Sequence, residues 1–367
     1  MNQSLLFRST ILLAFVFLII SGMVYAQGFL IPVFFAGLLS LLLLPLSNII
    51  ESKIHHRVAA IILTIVVFII IICGISYFIS TQISYIISDS EMIQARLTVQ
   101  MHKLQIVISE YTGINETDQL AWFNKQSEQW IKSGFTKVQD VLLTFGNFVF
   151  GLTLVIIYIF FLLLYRSRIK LFILSLTNES NHETILSIIN KVKQLVLQYL
   201  TGLFIALSIL GAMNAIGLKI LGIEHGIFLG FLAGFLNIIP YIGSFIGGAL
   251  PVIMALIYKD NIWYAVGVLA IFMFNQFIDN NITTPRVVGG YVRINSLATI
   301  IAVIIGGMIW GVGGMILFIP LLGIFKIFCD NIETLHPLSI LLSEDEEAGD
   351  SFIKKFTDWF KKKKITS

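Results

Sequence analysis

Gly234-Phe235-Leu236-Asn237-Ile238-Ile239-Pro240-Tyr241-Ile242-Gly243-Ser244-Phe245-Ile246-Gly247-Gly248-Ala249-Leu250-Pro251 is the stretch whose reading decides the fold. It occupies the middle of residues 226–258, a window without Asp, Glu, Lys or Arg. A membrane-crossing helix needs about 20 apolar residues. The window is therefore long for one crossing and short for two, and glycine and proline break it at its centre. A second charge-free window, 294–325, repeats the pattern with Gly306-Gly307-Met308-Ile309-Trp310-Gly311-Val312-Gly313-Gly314 ahead of Pro320. Backbone groups freed by a broken helix cannot face lipid, so each break is expected to be buried in protein or to line a wet cavity. Both windows read as broken or re-entrant hairpins, and such a pair in corresponding positions points to a transport site. Two tilted, kinked helices packed through small residues are the competing reading.

The rest of the chain agrees with a membrane solvent. Of its 367 residues, 57% are hydrophobic and 12% charged, about half the charge of a soluble domain. Mean hydropathy is +0.91. This excludes a cytosolic enzyme, a secreted disulfide scaffold and a disordered chain. A net charge of +3 is too small to suggest a nucleic-acid partner. Further charge-free windows fall at 9–50, 58–88, 141–165, 194–218 and 261–278. The fold class that follows is all-α and polytopic, with about eight membrane segments, two of them the Gly/Pro-rich hairpins of the C-terminal half. Window 9–50 has room for two spans, with Gln27-Gly28 as a tight hairpin and Pro32 in the first turns of the second helix. Val24-Tyr25-Ala26 resembles a signal-peptidase site, but the apolar run resumes at once, which suits a retained hairpin better. Cys73 and Cys329 lie in apolar runs and read as small buried hydrophobes.

Charge sets the orientation. Residues 166–193 carry Arg166, Arg168, Lys170, Lys191 and Lys193 against two acidic side chains, so the positive-inside rule places them in the cytoplasm. The loop with Lys53 and Arg57 and the lysine-rich tail are inside by the same rule. The domain reading is N-terminal membrane helices over 1–88, an extracytoplasmic helical segment over 89–140, and a membrane helix over 141–165. A cytoplasmic amphipathic region follows over 166–200, then transport-core segments over 201–333 and a basic cytoplasmic tail over 334–367. In 166–200, Ile185, Ile188, Val192, Val196 and Tyr199 form a stripe expected to lie along the membrane surface before Gly202 opens the next span. In the tail, Phe352, Phe356, Trp359 and Phe360 lie beside six lysines, a pattern suited to anionic membrane lipids.

Between the two broken windows runs Asn275-Gln276-Phe277-Ile278-Asp279-Asn280-Asn281-Ile282-Thr283-Thr284-Pro285-Arg286. A carboxylate at the centre of a membrane helix costs about 2.5–3.5 kcal/mol and is normally paired or functional. Asp279 is the sole Asp, Glu, Lys, Arg or His of 261–285, read either as a solute or ion site or as an interfacial cap paired with Arg286. The amides and hydroxyls of Asn237, Tyr241, Ser244, Asn275, Gln276, Asn280, Asn281 and Thr284 can replace water around a small polar solute. The candidate pathway is therefore Asn237, Pro240, Tyr241, Gly243 and Ser244 at the first break, with Asn275, Gln276, Asp279 and Asn280 as polar contacts. Gly247, Gly248, Gly313 and Gly314 are the hairpin glycines.

Catalysis finds no footing. Gly243-Ser244 lacks the Gly-x-Ser-x-Gly turn of a serine hydrolase, and one intramembrane Asp cannot form a carboxylate dyad. The six histidines have no metal-ligand spacing and no phosphate-binding Gly-Lys-Ser/Thr loop is present. Neither a cofactor nor a metal is expected.

Gln198-Tyr199-Leu200-Thr201-Gly202, Leu221-Gly222-Ile223, Gly230, Asn237-x-x-Pro240-Tyr241-x-Gly243, Gly247, Asp279-Asn280, Pro285, Gly289 and the run from Gly307 to Pro320 occur in that order. In order and spacing the chain resembles the autoinducer-2 exporter family of bacterial membrane permeases, most strongly over 198–325. The resemblance implies about eight membrane segments, a bacterial cytoplasmic-membrane location and a homo-oligomer, with a pentamer as one candidate. It also implies export of small polar solutes such as the autoinducer-2 signal, with elevator-like movement of the glycine-rich half. Some relatives are described as sodium–proton antiporters, which keeps cation–proton antiport through Asp279 as an alternative. A membrane scaffold without flux is the alternative of another class. Family members often carry Glu where Asp279 stands, so the carboxylate here has a shorter reach.

The hairpin topology places Arg286 in the cytoplasm, whereas two full spans would strand it outside. A cysteine at Arg286 is expected to escape an impermeant thiol reagent applied to intact cells; labelling from outside would remove the hairpin topology.

Overall fold

The structure, a computed structural model, describes residues 3–88, 96, 99, 150–239, 242–259, 261–288 and 294–343. Most of the outer segment, Pro240, Tyr241, Gly289, Arg293 and the basic tail with its aromatic residues lie outside the described residues. Among the described residues the regular structure is helical throughout, apart from one isolated antiparallel bridge between Ile294 and Ser343. The helices are α1 Gln3–Tyr25, α2 Gln27–Ile54, α3 Arg57–Ser88, α4 Phe150–Ser175, α5 His182–Ile220 and α6 Gly226–Leu236. They continue with α7 Ile242–Tyr258, α8 Trp263–Ile278, α9 Thr284–Val287, α10 Ser296–Asn331 and α11 His336–Leu342. A π-helical turn, Asp279–Thr283, joins α8 to α9. Among the described residues, six stretches are long and apolar enough to cross a membrane: α2, α3 to Gln82, α4, Glu179–Ile220, Trp263–Val287 and α10; Leu13–Tyr25, α6 and Gly243–Tyr258 are shorter apolar helices. The protein is an all-α polytopic membrane protein. The join between α1 and α2 falls at Ala26, so Gln27 and Gly28 are the first residues of α2 rather than a turn.

The chain forms two compact units, residues 32–165 with 205–283, and residues 1–31 with 166–204 and 284–367. In the first, α2, α3 and α4 meet through buried Ala36, Leu43, Ile61, Ile65, Val155, Ile159 and Leu163. Arg57 at the start of α3 donates from Nη2 to the Leu163 carbonyl at 3.0 Å. A second core joins Leu218 of α5, Phe228 and Leu229 of α6, Ala255 of α7, and Ala265 and Val268 of α8. Glycine recurs at every fourth residue of α6, at Gly226, Gly230 and Gly234, which the helical period places on one face. That face lies directly on α5: Gly230 abuts the Ala215 backbone, Gly234 abuts Gly211, and a Cβ at Gly226 would stand 3.0 Å from Leu218 Cβ. Small residues of this kind let membrane helices approach to backbone contact.

Window 226–258 is broken as its sequence predicts. α6 has 11 residues and α7 has 17, about 16 and 25 Å of helix, both short of a hydrocarbon core of about 30 Å. They fold back on each other. Gly243 packs under the Leu236 carbonyl and Gly247 against Ala233, contacts that only antiparallel neighbours make.

In the second unit α10 is a hairpin too, two helical arms that meet at a bend. Trp310 (φ −129°, ψ 16°) and Gly311 (φ 58°, ψ −141°) are non-helical. A Cβ at Gly306 would stand 2.5 Å from the Gly314 carbonyl oxygen and 2.8 Å from Phe318 Cγ. Eight residues along a straight helix cover about 12 Å, so the chain has reversed between them. The Trp310 indole also packs edge-on against the Phe318 ring at 5.5 Å and donates from Nε1 to the Met23 carbonyl, 3.0 Å away. That carbonyl belongs to the last turn of α1, where no intrahelical donor remains.

The amphipathic stripe of 166–200 differs from its reading. Ile188, Val196 and Tyr199 are buried, so the apolar face is covered by protein rather than laid on lipid. Nor does Gly202 open a helix: α5 runs unbroken past it. Gly202 is bare because the Val287 carbonyl sits where its Cβ would be.

Gly234→Ala is expected to destabilise the protein by about 1–3 kcal/mol through overpacking on Gly211, while Gly28→Ala, with nothing within 4 Å, leaves thermal unfolding unchanged. Gly311→Ala meets no neighbour but forces a side chain into a positive-φ conformation, at about 1–3 kcal/mol. Thermal unfolding of the three variants in detergent checks both causes separately.

Candidate functional site

Of the polar residues singled out from the sequence, Asn237, Ser244, Asn275, Gln276, Asp279, Asn280 and Asn281 lie in the first unit, with α5 to α8, and Thr284 in the second. Helices α5 to α8 are held in register by small residues and one amide pair. A Cβ at Gly217 of α5 would stand 2.5 Å from Ile271 of α8, and one at Gly248 of α7 would stand 3.4 Å from Phe272. Gly267 of α8 faces Leu221 of α5, and Ala265 shares a core with Ala255 of α7, so α8 runs antiparallel to both. One helical turn further in the same direction brings Ser244 level with Gln276, at the end of α8 that leads into Asp279 and Asn280.

The first tip is closed by its own side chains. Asn237 caps α6, with its N–H directed to the carbonyls of Gly234 and Phe235. The Ser244 hydroxyl donates to Asn237 Oδ1 across the break. Gly243 allows the Leu236 carbonyl to approach its backbone. These three residues of the predicted break are brought together, whereas Pro240 and Tyr241 fall outside the described residues.

The polar stretch divides into buried and exposed faces. Asn275 is 5% exposed and donates from Nδ2 to Asn214 Oδ1 of α5 at 2.9 Å. Asn214 is itself 3% exposed. Asp279 is 4% exposed and starts the π turn, which also buries Thr283. Turns of this type widen a helix by one residue and recur at functional sites. On the open side, Gln276 Nε2 donates to Asn280 Oδ1 at 3.1 Å, and Asn281 Nδ2 donates to the Phe277 carbonyl at 2.8 Å. A wall of neutral amides beside one buried carboxyl can take up hydroxyl and carbonyl groups. Among the described residues no group of three or more His, Cys, Asp or Glu converges as a metal site would require.

The remaining hairpin glycines lie elsewhere. Gly247 packs in the first hairpin and Gly314 in the second, against Gly306. The second reversal itself is at Trp310–Gly311 rather than at Gly313–Gly314. Between the arms of this hairpin is a cleft of about 750 Å³, lined mostly by apolar residues such as Ile301, Ala302, Phe318 and Phe325. None of the described residues predicted for the pathway lines it.

Two participants escaped the sequence reading. Asn214 sits in a window scanned for charges, and an amide carries none; its polarity inside a span was the available signal. Trp310 stands within a glycine-rich run, and its indole N–H, a donor that needs a partner when buried, finds that partner in α1.

Comparison with known proteins places this arrangement. The model of the AI-2E family transporter matches residues 11–334. The Bacillus subtilis (strain 168) protein named "Putative transport protein YueF" is 27% identical over 336 residues, covering 86% of this chain and 87% of the relative. "AI-2 transport protein TqsA" of Escherichia coli (strain K12) is 30% identical over 127 residues, 35% of this chain and 37% of the relative. "Putative transport protein YrrI" of Bacillus subtilis (strain 168) is 30% identical over 129 residues, 35% of this chain and 36% of that one. With a family match over nearly its whole length and two helical hairpins in its C-terminal half, the chain belongs to the AI-2E family of membrane transporters.

Proposed function

We propose that the protein exports a small, polar, largely uncharged solute, of the furanone-polyol type of the autoinducer-2 signal, across the bacterial cytoplasmic membrane. The observation that carries this reading is the level of the first hairpin tip. Asn237 and Ser244 stand at the same end of the bundle as Gln276, Asp279 and Asn280. Neutral donors and acceptors dominate there, and hydroxyl groups exchange water for amides at little cost when each is matched. The name of TqsA, a relative over about a third of the chain, supports the same solute class. An elevator-like movement of the glycine-rich half would carry the solute past the hairpin tips, since short arms end inside the hydrocarbon layer and need not be rebuilt as they move. The assembly is proposed to be a homo-oligomer with both termini in the cytoplasm and the lysine-rich tail on anionic lipid.

Cation–proton antiport is the second reading, and the burial of Asp279 at the π turn favours it. A buried carboxyl that alternates between proton and cation is the minimum such exchange requires.

Purified full-length protein in liposomes separates the two. Under the solute reading, labelled furanone polyol crosses the membrane, Gly243→Leu stops it by blocking the approach of the Leu236 carbonyl, and Asp279→Asn retains measurable flux. Sodium-dependent proton movement abolished by Asp279→Asn, without polyol flux in the parent protein, would overturn the solute reading in favour of antiport.

A further inference from the structure

The second hairpin has a closed base. Because its two arms are antiparallel, the first residue of α10 and its last, Asn331, lie at the same end. From Asn331 the chain passes through a 3-10 turn, Glu333–Leu335, into α11, His336–Leu342. Seven residues of helix measure about 10 Å, the spacing of two packed helices. α11 thus crosses from the end of the second arm to the start of the first.

Its arrival is fixed by one side chain. Asn295 Oδ1 accepts from the Ala298 N–H at 2.8 Å and caps α10. The Asn295 N–H donates to the Leu342 carbonyl at 3.0 Å. Its Nδ2 donates to the Leu341 carbonyl at 2.6 Å and reaches the Ser343 carbonyl at 3.3 Å. Ile294 and Ser343 complete the junction as an antiparallel bridge. Midway along α11, the Ser339 hydroxyl donates to Asp330 Oδ1, and Lys326 pairs with the same carboxylate at 3.0 Å. The three carbonyls held by Asn295 belong to the last residues of α11 and the one after, which have no further helical donors.

Leu341, Leu342 and Ser343 also line the cleft between the hairpin arms, together with Leu297, Ala298 and Ala302. Ala302 is 7% exposed. We propose that residues 332–343 are a strap over this cleft, that Asn295 is its clasp, and that release of the clasp opens the cleft between the arms of the second hairpin. The clasp suits a reversible device. It consists of hydrogen bonds to backbone carbonyls at the foot of the helices, and those carbonyls have water as an alternative partner. The cap on Ala298 uses the other atom of the same amide, so the clasp can part without fraying α10.

Asn295→Asp and Asn295→Ser isolate the clasp. Both residues are good helix N-caps and keep the acceptor for Ala298, and neither has the amide fork that holds Leu341 and Ser343. Each is combined with Ala302→Cys in the full chain and treated with methyl methanethiosulfonate, a small uncharged thiol reagent, with labelling read residue by residue by mass. Cys73, exposed rather than buried as its apolar run suggests (Cys329 is buried), reports equal delivery of reagent. Loss of two hydrogen bonds should speed labelling at position 302 about tenfold in both variants. Equal rates with and without the clasp would overturn the proposal. So would acceleration in the Asp variant alone, since that would assign the effect to the new charge. The measurement does not depend on which solute the protein moves.

Discussion

A main-chain amide inside a hydrocarbon layer must find a partner, and the two reversals at Asn237–Gly243 and Trp310–Gly311 are built around that requirement. Each end of helix exposes groups that the helix cannot satisfy. At the first reversal the local chain supplies the answer through Asn237 and Ser244, a cap and a cross-tip hydrogen bond. At the second, helical bonding continues nearly to the bend, and two residues absorb the change of direction. An orphan carbonyl of α1 is satisfied by Trp310 in the same place. The two hairpins therefore solve one problem by different chemistry, side-chain capping in one and a single glycine conformation in the other.

Close packing follows from the same constraint. Short arms bury little apolar surface against one another, and lipid offers no hydrophobic drive for helices to associate. Backbone-to-backbone approach supplies the contact instead. α6 meets α5 through Gly226, Gly230 and Gly234, and the arms of α10 meet through Gly306 and Gly314. Asn214 and Asn275 add a polar tie where α5 meets α8.

The broken windows were legible because length and glycine content can be set against membrane thickness without any structure. The position of the first break was legible as well, since Asn237 and Gly243 bracket it. The second was displaced. Gly306, Gly307, Gly311, Gly313 and Gly314 look alike in a sequence, but Gly311 supplies a conformation and Gly306 and Gly314 supply space. Only the backbone distinguishes those uses. Gly202 misled for the same reason, being read as the opening of a span when its role is to admit the Val287 carbonyl. Asn214 and Asn295 were missed because their partners, 61 and 46 residues away, are set by tertiary structure. Of the candidate pathway, the tip and the polar stretch emerge at one level, and the division of that stretch into a buried and an open face depends on the register of α8.

The amide tie between α5 and α8 has an electrical consequence. A unit charge carried across a membrane potential of 100 mV does work of about 2.3 kcal/mol. Asn214 and Asn275 bear no net charge. Parting them and restoring them is work the transmembrane voltage neither helps nor hinders, so the grip of one helix on the other stays the same in an energised cell and a de-energised one.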